Sequence, residues 1–187
     1  MHNLVSFKKI VSDCTKFIFQ NQNFKNFTKT KDCMSTKGIL GYPNGTKKYI
    51  GEMKNEIPDG KGQLYYPDGH LQFIGYFKNG LYDIEGKLYN PNKAVWYEGG
   101  YRNGRKEGEG KQYHLNGALK YEGHFSSDKY NGKGRYYRDN GSLNYDGDWF
   151  AGDKHGHGKY YYENGNLAFE GMFKNDKIDK PESYKIT

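Results

Sequence analysis

Three arrangements in this 187-residue sequence are of types that can do chemistry. The first is a series of closely spaced glycine pairs such as Gly108-Glu109-Gly110. A phosphate loop needs a strand, then glycines, then a helix N-terminus whose free N–H groups face the anion. Here a strand-like stretch follows each pair, so no phosphate or dinucleotide site is expected. The second is His155 and His157 around Gly156. No Cys or further His stands at ligand spacing, so both read as variable solvent-facing positions. The third is His124, Ser126 and Asp128, which form no recognisable triad. Repeats bring polar residues together by translation, and that alone is not catalysis. The expectation is no catalytic residue, no metal, no cofactor and no small-molecule substrate.

The glycines belong to a period of 24 residues. Units run over 49–72, 73–96, 97–120, 121–144 and 145–168, and a truncated sixth starts at Phe169. A degenerate half-unit, Lys37 to Lys48, leads into the first. Position one is Tyr49, Phe73, Tyr97, Tyr121, Tyr145 and Phe169. Position three is Gly51, Gly75, Gly99, Gly123, Gly147 and Gly171. Position five is Met53, Phe77, Tyr101, Phe125, Trp149 and Phe173. Position fourteen is Gly62, Gly86, Gly110, Gly134 and Gly158; position seventeen is Tyr65, Tyr89, Tyr113, Tyr137 and Tyr161. Position twenty-three is Leu71, Val95, Leu119, Leu143 and Leu167.

Alternation by two is the signature of a strand with one buried face. It predicts that Leu143, Tyr145, Gly147 and Trp149 share a face, with Asn144, Asp146 and Asp148 toward solvent. Asn140-Gly141, Asp68-Gly69, Asn116-Gly117 and Asn164-Gly165 are pairs that favour the positive φ angles of a tight hairpin turn. Asn92-Lys93 in the second unit predicts a looser turn there. Each unit therefore supplies two antiparallel strands, and the fold class is an all-β, elongated antiparallel hairpin ribbon. Twelve strands at ~4.8 Å would extend roughly 55–60 Å. Glycines at positions three and fourteen leave room for Tyr and Phe rings to lie across the backbone. With no second layer, ring stacking between neighbouring units must supply the core.

The segments YEGGYRNGRKEGEGKQY, YEGHFSSDKYNGKGRYY and YDGDWFAGDKHGHGKYY resemble MORN repeats, whose pattern is roughly YxGxWxxGxxxGxGxxxY. The resemblance covers residues 37–187. Ile84 departs from the GxG pair in the second unit. Lys180, Pro181 and Glu182 replace the pair in the last, where Pro181 is expected to end the sheet. The resemblance implies a ribbon used for assembly, with lipid binding as one use among several. It also implies that any catalysis would belong to a separate domain, for which these residues leave no place.

Charge divides the chain. Residues 1–48 hold nine Lys against Asp13 and Asp32, and the other 139 residues hold 20 basic and 20 acidic groups. A balanced body lacks the basic stripe that tracks phosphates, so no nucleic-acid partner is expected. Residues 1–20 read as an amphipathic helix, with Leu4, Phe7, Val11, Cys14 and Ile18 on one face. Lys8, Lys9 and Lys16 make it basic, and the seven side chains Leu4, Phe7, Val11, Ile18, Lys8, Lys9 and Lys16 are the candidate partner or membrane anchor. Residues 21–36 read as a polar linker, and 37–187 as the repeat array. The helix suits docking on protein, uncleaved mitochondrial targeting, or an anionic membrane surface. No apolar run reaches the ~20 residues of a membrane span, and no secretory signal is visible. Cys14 and Cys33 read as free thiols. The expected compartment is mitochondrial or cytoplasmic and cytoskeletal, as in an axoneme, and not secreted. The function so predicted is a non-catalytic scaffold or structural subunit bound to protein partners in a larger complex. The alternative is a membrane-surface adaptor that binds anionic lipid.

Overall fold

The computed structural model describes residues 35–179. They form thirteen strands: β1 Thr36–Gly41, β2 Lys47–Lys54, β3 Ile57–Tyr65, β4 Leu71–Lys78, β5 Leu81–Tyr89, β6 Val95–Arg102 and β7 Arg105–Tyr113. The rest are β8 Leu119–Ser126, β9 Lys129–Tyr137, β10 Leu143–Phe150, β11 Asp153–Tyr161, β12 Leu167–Lys174 and β13 Lys177–Ile178. Each strand pairs antiparallel with its neighbours in sequence, giving one open sheet in chain order. The expected N-terminal helix, with Leu4, Phe7, Val11, Ile18, Lys8, Lys9 and Lys16, lies outside the described residues. So do Cys14, Cys33 and Pro181.

The sheet has two kinds of hairpin. One is the two-residue turn at positions seven and eight, where both residues have positive φ: Asn79 at 50° and Gly80 at 81°, Asn103 at 51° and Gly104 at 79°. That is the type I′ turn, whose twist matches the twist of paired strands. The other kind contains Asn140-Gly141 and its equivalents. There only the glycine is left-handed, Gly141 at 82°. The Gly141 N–H donates to the Arg138 carbonyl at 3.0 Å, and the Arg138 N–H to the Ser142 carbonyl at 2.9 Å. This is a three-residue loop: a type I turn closed by a left-handed glycine. The expectation of positive φ at both residues of these pairs is therefore corrected. A third loop residue lets the Asn keep ordinary φ, while its side chain accepts the Ser142 N–H at 2.9 Å. The second-unit turn is not looser either. Lys93 adopts φ 69° and makes the same bond, its N–H donating to the Asn90 carbonyl at 2.9 Å.

A bulge changes one predicted face. Tyr136 pairs with Tyr145, but Tyr137 pairs with Leu143, so Asn144 is an extra residue in β10. One extra residue reverses the alternation. Leu143 therefore sits opposite Tyr137 and is absent from the side chains packed on the core, and the same holds for Leu71, Val95, Leu119 and Leu167. Tyr145, Gly147 and Trp149 do share the buried face, as predicted.

A second irregularity lies at position twelve, where Gly60, Gly108, Gly132 and Gly156 have positive φ. In the second unit this place is held by Ile84 at φ 60°. A β-branched side chain in that region is strained, because its Cβ crowds the following carbonyl. Ile84→Gly and Lys93→Gly are each expected to stabilise the protein by about 1 kcal/mol. Urea unfolding followed by circular dichroism checks this through a higher midpoint at unchanged slope.

Candidate interaction surfaces

The buried face is built from positions one and five. Tyr49, Phe73, Tyr97, Tyr121, Tyr145 and Phe125 are fully buried, and Met53, Phe77, Tyr101, Trp149 and Phe173 nearly so. Each ring at position five meets edge-on the position-one rings of its own and the preceding unit. The chain runs Tyr49, Phe77, Phe73, Tyr101, Tyr97, Phe125, Tyr121, Trp149, Tyr145, Phe173, Phe169, with centroids 5.1–5.6 Å apart and planes 81–88° apart. This is the favoured edge-to-face geometry, and it couples every unit to the next. Position-one rings lie across the glycines. A Cβ built on Gly110 would meet the Tyr97 ring, its Cζ at 2.7 Å. The hydroxyls are satisfied by the chain three residues on: Tyr97 donates to the Gly100 carbonyl at 3.0 Å and Tyr145 to that of Asp148 at 2.9 Å. Phe169 is only partly buried; among the described residues β13 alone lies beyond β12 on that side.

Position ten alternates over two units. Tyr82 stacks on Phe73 at 3.9 Å, and Tyr130 on Tyr121 at 3.8 Å. In the intervening units Lys106 Nζ lies 5.0 Å over the Tyr97 ring, and Lys154 Nζ lies 5.8 Å over that of Tyr145. A cation over a ring face replaces a stacked ring. Burial pushes the Lys106 ammonium below its ordinary pKa, against the pull of the Asp128 charge.

The opposite face carries charge in register. Lys87, Glu98, Lys111, Glu122, Arg135, Asp146, Lys159 and Glu170 are successive cross-strand partners, alternating in sign from β5 to β12. Lys87 and Glu98 stand 2.8 Å apart, and Arg135 and Asp146 3.1 Å. The position-seventeen tyrosines brace this row: Tyr113 donates to Glu98 at 2.6 Å and Tyr137 to Glu122 at 2.7 Å. Tyr65 likewise donates to Gln63. Lys87, Glu98, Lys111, Glu122, Arg135 and Asp146 line an open trough of about 1180 Å³. Its two signs nearly cancel, so it offers no field for a polyanion. Sequence reasoning missed this row, although residues of opposite sign stand at positions two and fifteen. Only the cross-strand register makes them neighbours.

The remaining polar candidates stay apart. Asp128 accepts the Lys106 N–H at 2.9 Å, and among the described residues no hydrogen bond joins it to His124 or Ser126. The His155 ring lies 5.6 Å from that of Phe150, and the His157 N–H donates to Asp148 at 3.1 Å. Among the described residues no three His, Cys, Asp or Glu side chains converge as a metal site.

The family model for the MORN repeat matches residues 121–143, and that for a MORN repeat variant matches 58–79, 106–126 and 154–175. This is a MORN-repeat protein. The matches take the ribbon at two phases. The variant begins at position ten and spans the three-residue loop, while the other begins at position one. Residues 80–105 fall between the matched stretches. A search of curated proteins finds no match. MORN repeats generally mediate protein–protein or membrane interactions, and proteins built from them are generally non-catalytic.

Two predictions follow from the ring-and-glycine geometry. Gly110→Ala should displace the Tyr97 ring and destabilise the MORN array by about 3 kcal/mol. Gly108→Ala, with open space around it but φ 75°, should cost only about 1 kcal/mol. Chemical denaturation of the two variants separates them. Burial pushes the Tyr49 and Tyr82 phenols from an ordinary 10.0 up to about 12. A raised phenol pKa in the folded state contributes stability that is complete below pH 10 and lost as pH rises toward 12. The melting temperature is therefore expected to fall steeply between pH 10 and pH 12, as measured by circular dichroism.

Proposed function

We propose that the chain is a non-catalytic structural subunit that mediates protein–protein assembly within a larger complex. The observation that carries this reading is the alternating charge row from Lys87 to Glu170 on a single-layer sheet. A face whose charges already neutralise each other suits an extended protein partner better than an anionic one, because complementarity of both signs fixes register. Open sheet edges add backbone donors and acceptors for a partner strand. Residues 1–36 act as the anchor in this reading.

Tagged protein extracted gently from its native cell is expected to elute as a stable complex far above 21.7 kDa. Deletion of residues 1–36 should leave the repeats folded but weaken incorporation. Normal incorporation of the truncated protein would refute the anchor role. The Lys-rich stretch 1–48 favours a second reading, an adaptor on anionic membrane. It requires salt-sensitive binding to phosphatidylserine vesicles that substitutions of Lys8, Lys9 and Lys16 reduce. Equal binding to neutral vesicles would count against it.

A further inference from the structure

The three-residue loops stack along one side of the array, and side chains tie each to the next. Tyr42 donates to the Tyr65 carbonyl at 2.8 Å and Tyr66 to that of Tyr89 at 2.9 Å. His114 bonds the Tyr137 carbonyl at 3.0 Å, and Arg138 donates to that of Tyr161 at 2.6 Å. All four stand at position eighteen. In the second unit this position is Asn90, whose shorter side chain makes no such bond to Tyr113. Instead its Oδ1 accepts the Ala94 N–H at 3.1 Å, and its Nδ2 is buried without an acceptor. Asn90 is 8% exposed. An amide donor left this way costs about 1–3 kcal/mol, so an acceptor supplied from outside would be rewarded.

Where the ladder breaks, a pocket of about 490 Å³ opens among the loops at 66–70, 90–94 and 114–118. Its walls include Tyr82, Leu88, Asn90, Pro91, Trp96 and Leu115, and none of its lining residues is charged. Leu115 is 75% exposed and Trp96 37%. The charges around the pocket are chiefly basic. Lys93 is at the tip of the middle loop, Lys106 Nζ lies 4.3 Å over the Trp96 ring, and the Lys120 charge acts on Lys106. Asp68, the carboxylate on these loops, accepts the His70 N–H at 3.0 Å. Asp128, bonded to the Lys106 N–H, acts on the Lys106 charge more strongly than Lys120 does and offsets part of the rim. The same loop departs from the repeat rule a second time, in the left-handed Lys93 where the equivalent loops have glycine. In an array where neighbouring units obey one rule, strain and an orphaned donor gathered in one place mark a site.

We propose that this pocket receives a short acidic segment of a partner protein. An apolar side chain enters against Trp96 and Leu115, the Asn90 side chain turns so that its amide meets a neighbouring backbone carbonyl, and flanking carboxylates face Lys93 and Lys120. Exposed aromatic and aliphatic anchors in a neutral pocket suit such a side chain, and the basic rim selects the flanks. The inference rests on the assembly reading above and names the chemistry of one contact.

The test uses the full chain and three five-residue peptides: Phe flanked by two Glu on each side, the same with central Ala, and Phe flanked by Lys. Calorimetric titration should show the Phe–Glu peptide binding at least tenfold more tightly than the other two. Asn90→Tyr should restore the ladder bond made by Tyr42 and Tyr66, fill the pocket, raise the melting temperature and weaken the peptide at least tenfold. Because this variant is expected to be more stable, lost binding is not lost folding. Unchanged binding in Asn90→Tyr, equal binding of the Lys-flanked peptide, or no binding at millimolar concentration overturns the proposal. So does phosphatidylserine-vesicle binding that Asn90→Tyr abolishes. In native extracts, a complex that forms equally well with Asn90→Tyr overturns the pocket and leaves the assembly reading standing. Recovery without any complex overturns the assembly reading itself.

Discussion

Among the described residues the sheet is a single layer that must bury its aromatic face without a second layer to cover it, and the rest of the array depends on how it does so. The solution is a ring lying flat over two glycines. The Tyr97 ring occupies the space that side chains at Gly99 and Gly110 would take. Laid flat, it is covered by the edges of Tyr101 and Phe125, which stand upright beside it. A buried layer thus forms within the thickness of one sheet. Packing at this density tolerates few alternatives, which is why position three and position fourteen stay glycine while position ten can be Tyr or Lys.

The same constraint makes the units interdependent. A position-five ring touches the position-one rings of two units, so no unit completes its own core. That is the nearest-neighbour energetics of a repeat array. The loops repeat the arrangement in polar form, with position eighteen of one unit bonded to the carbonyl of position seventeen in the next. Coupling of both kinds runs along the array, and the face opposite the rings adds exposed ion pairs braced by position-seventeen tyrosines. There the alternating charges of Lys87 to Glu170 neutralise each other without fixing the fold, since exposed ion pairs of this type contribute little stability.

Departures from the rule carry more information than adherence to it. Ile84 and Lys93 hold backbone shapes that suit glycine, Asn90 fails to span to Tyr113, and Tyr101 buries a hydroxyl with no partner. All four lie between residues 84 and 101. The neighbouring units satisfy the same positions with ordinary residues, so the array can accept local cost here without losing its register.

The sequence by itself determined the period, the strands, the antiparallel chain order and the residues of the buried face at positions one, three and five. Periodicity carried these, because one strain-free arrangement repeated many times leaves a strong signal in residue spacing. It did not determine which face Leu143 and its equivalents take, or that Asn140-Gly141 closes a three-residue loop while Asn79-Gly80 closes a two-residue one. Both depend on where an extra residue enters a strand, and a bulge shifts every later side chain without changing the repeat length. Cross-strand register likewise made a row of alternating charge from residues thirteen or eleven apart in the chain. The pocket beside Asn90 was decided by tertiary structure alone, since it arises from a side chain too short to reach a carbonyl in the neighbouring unit.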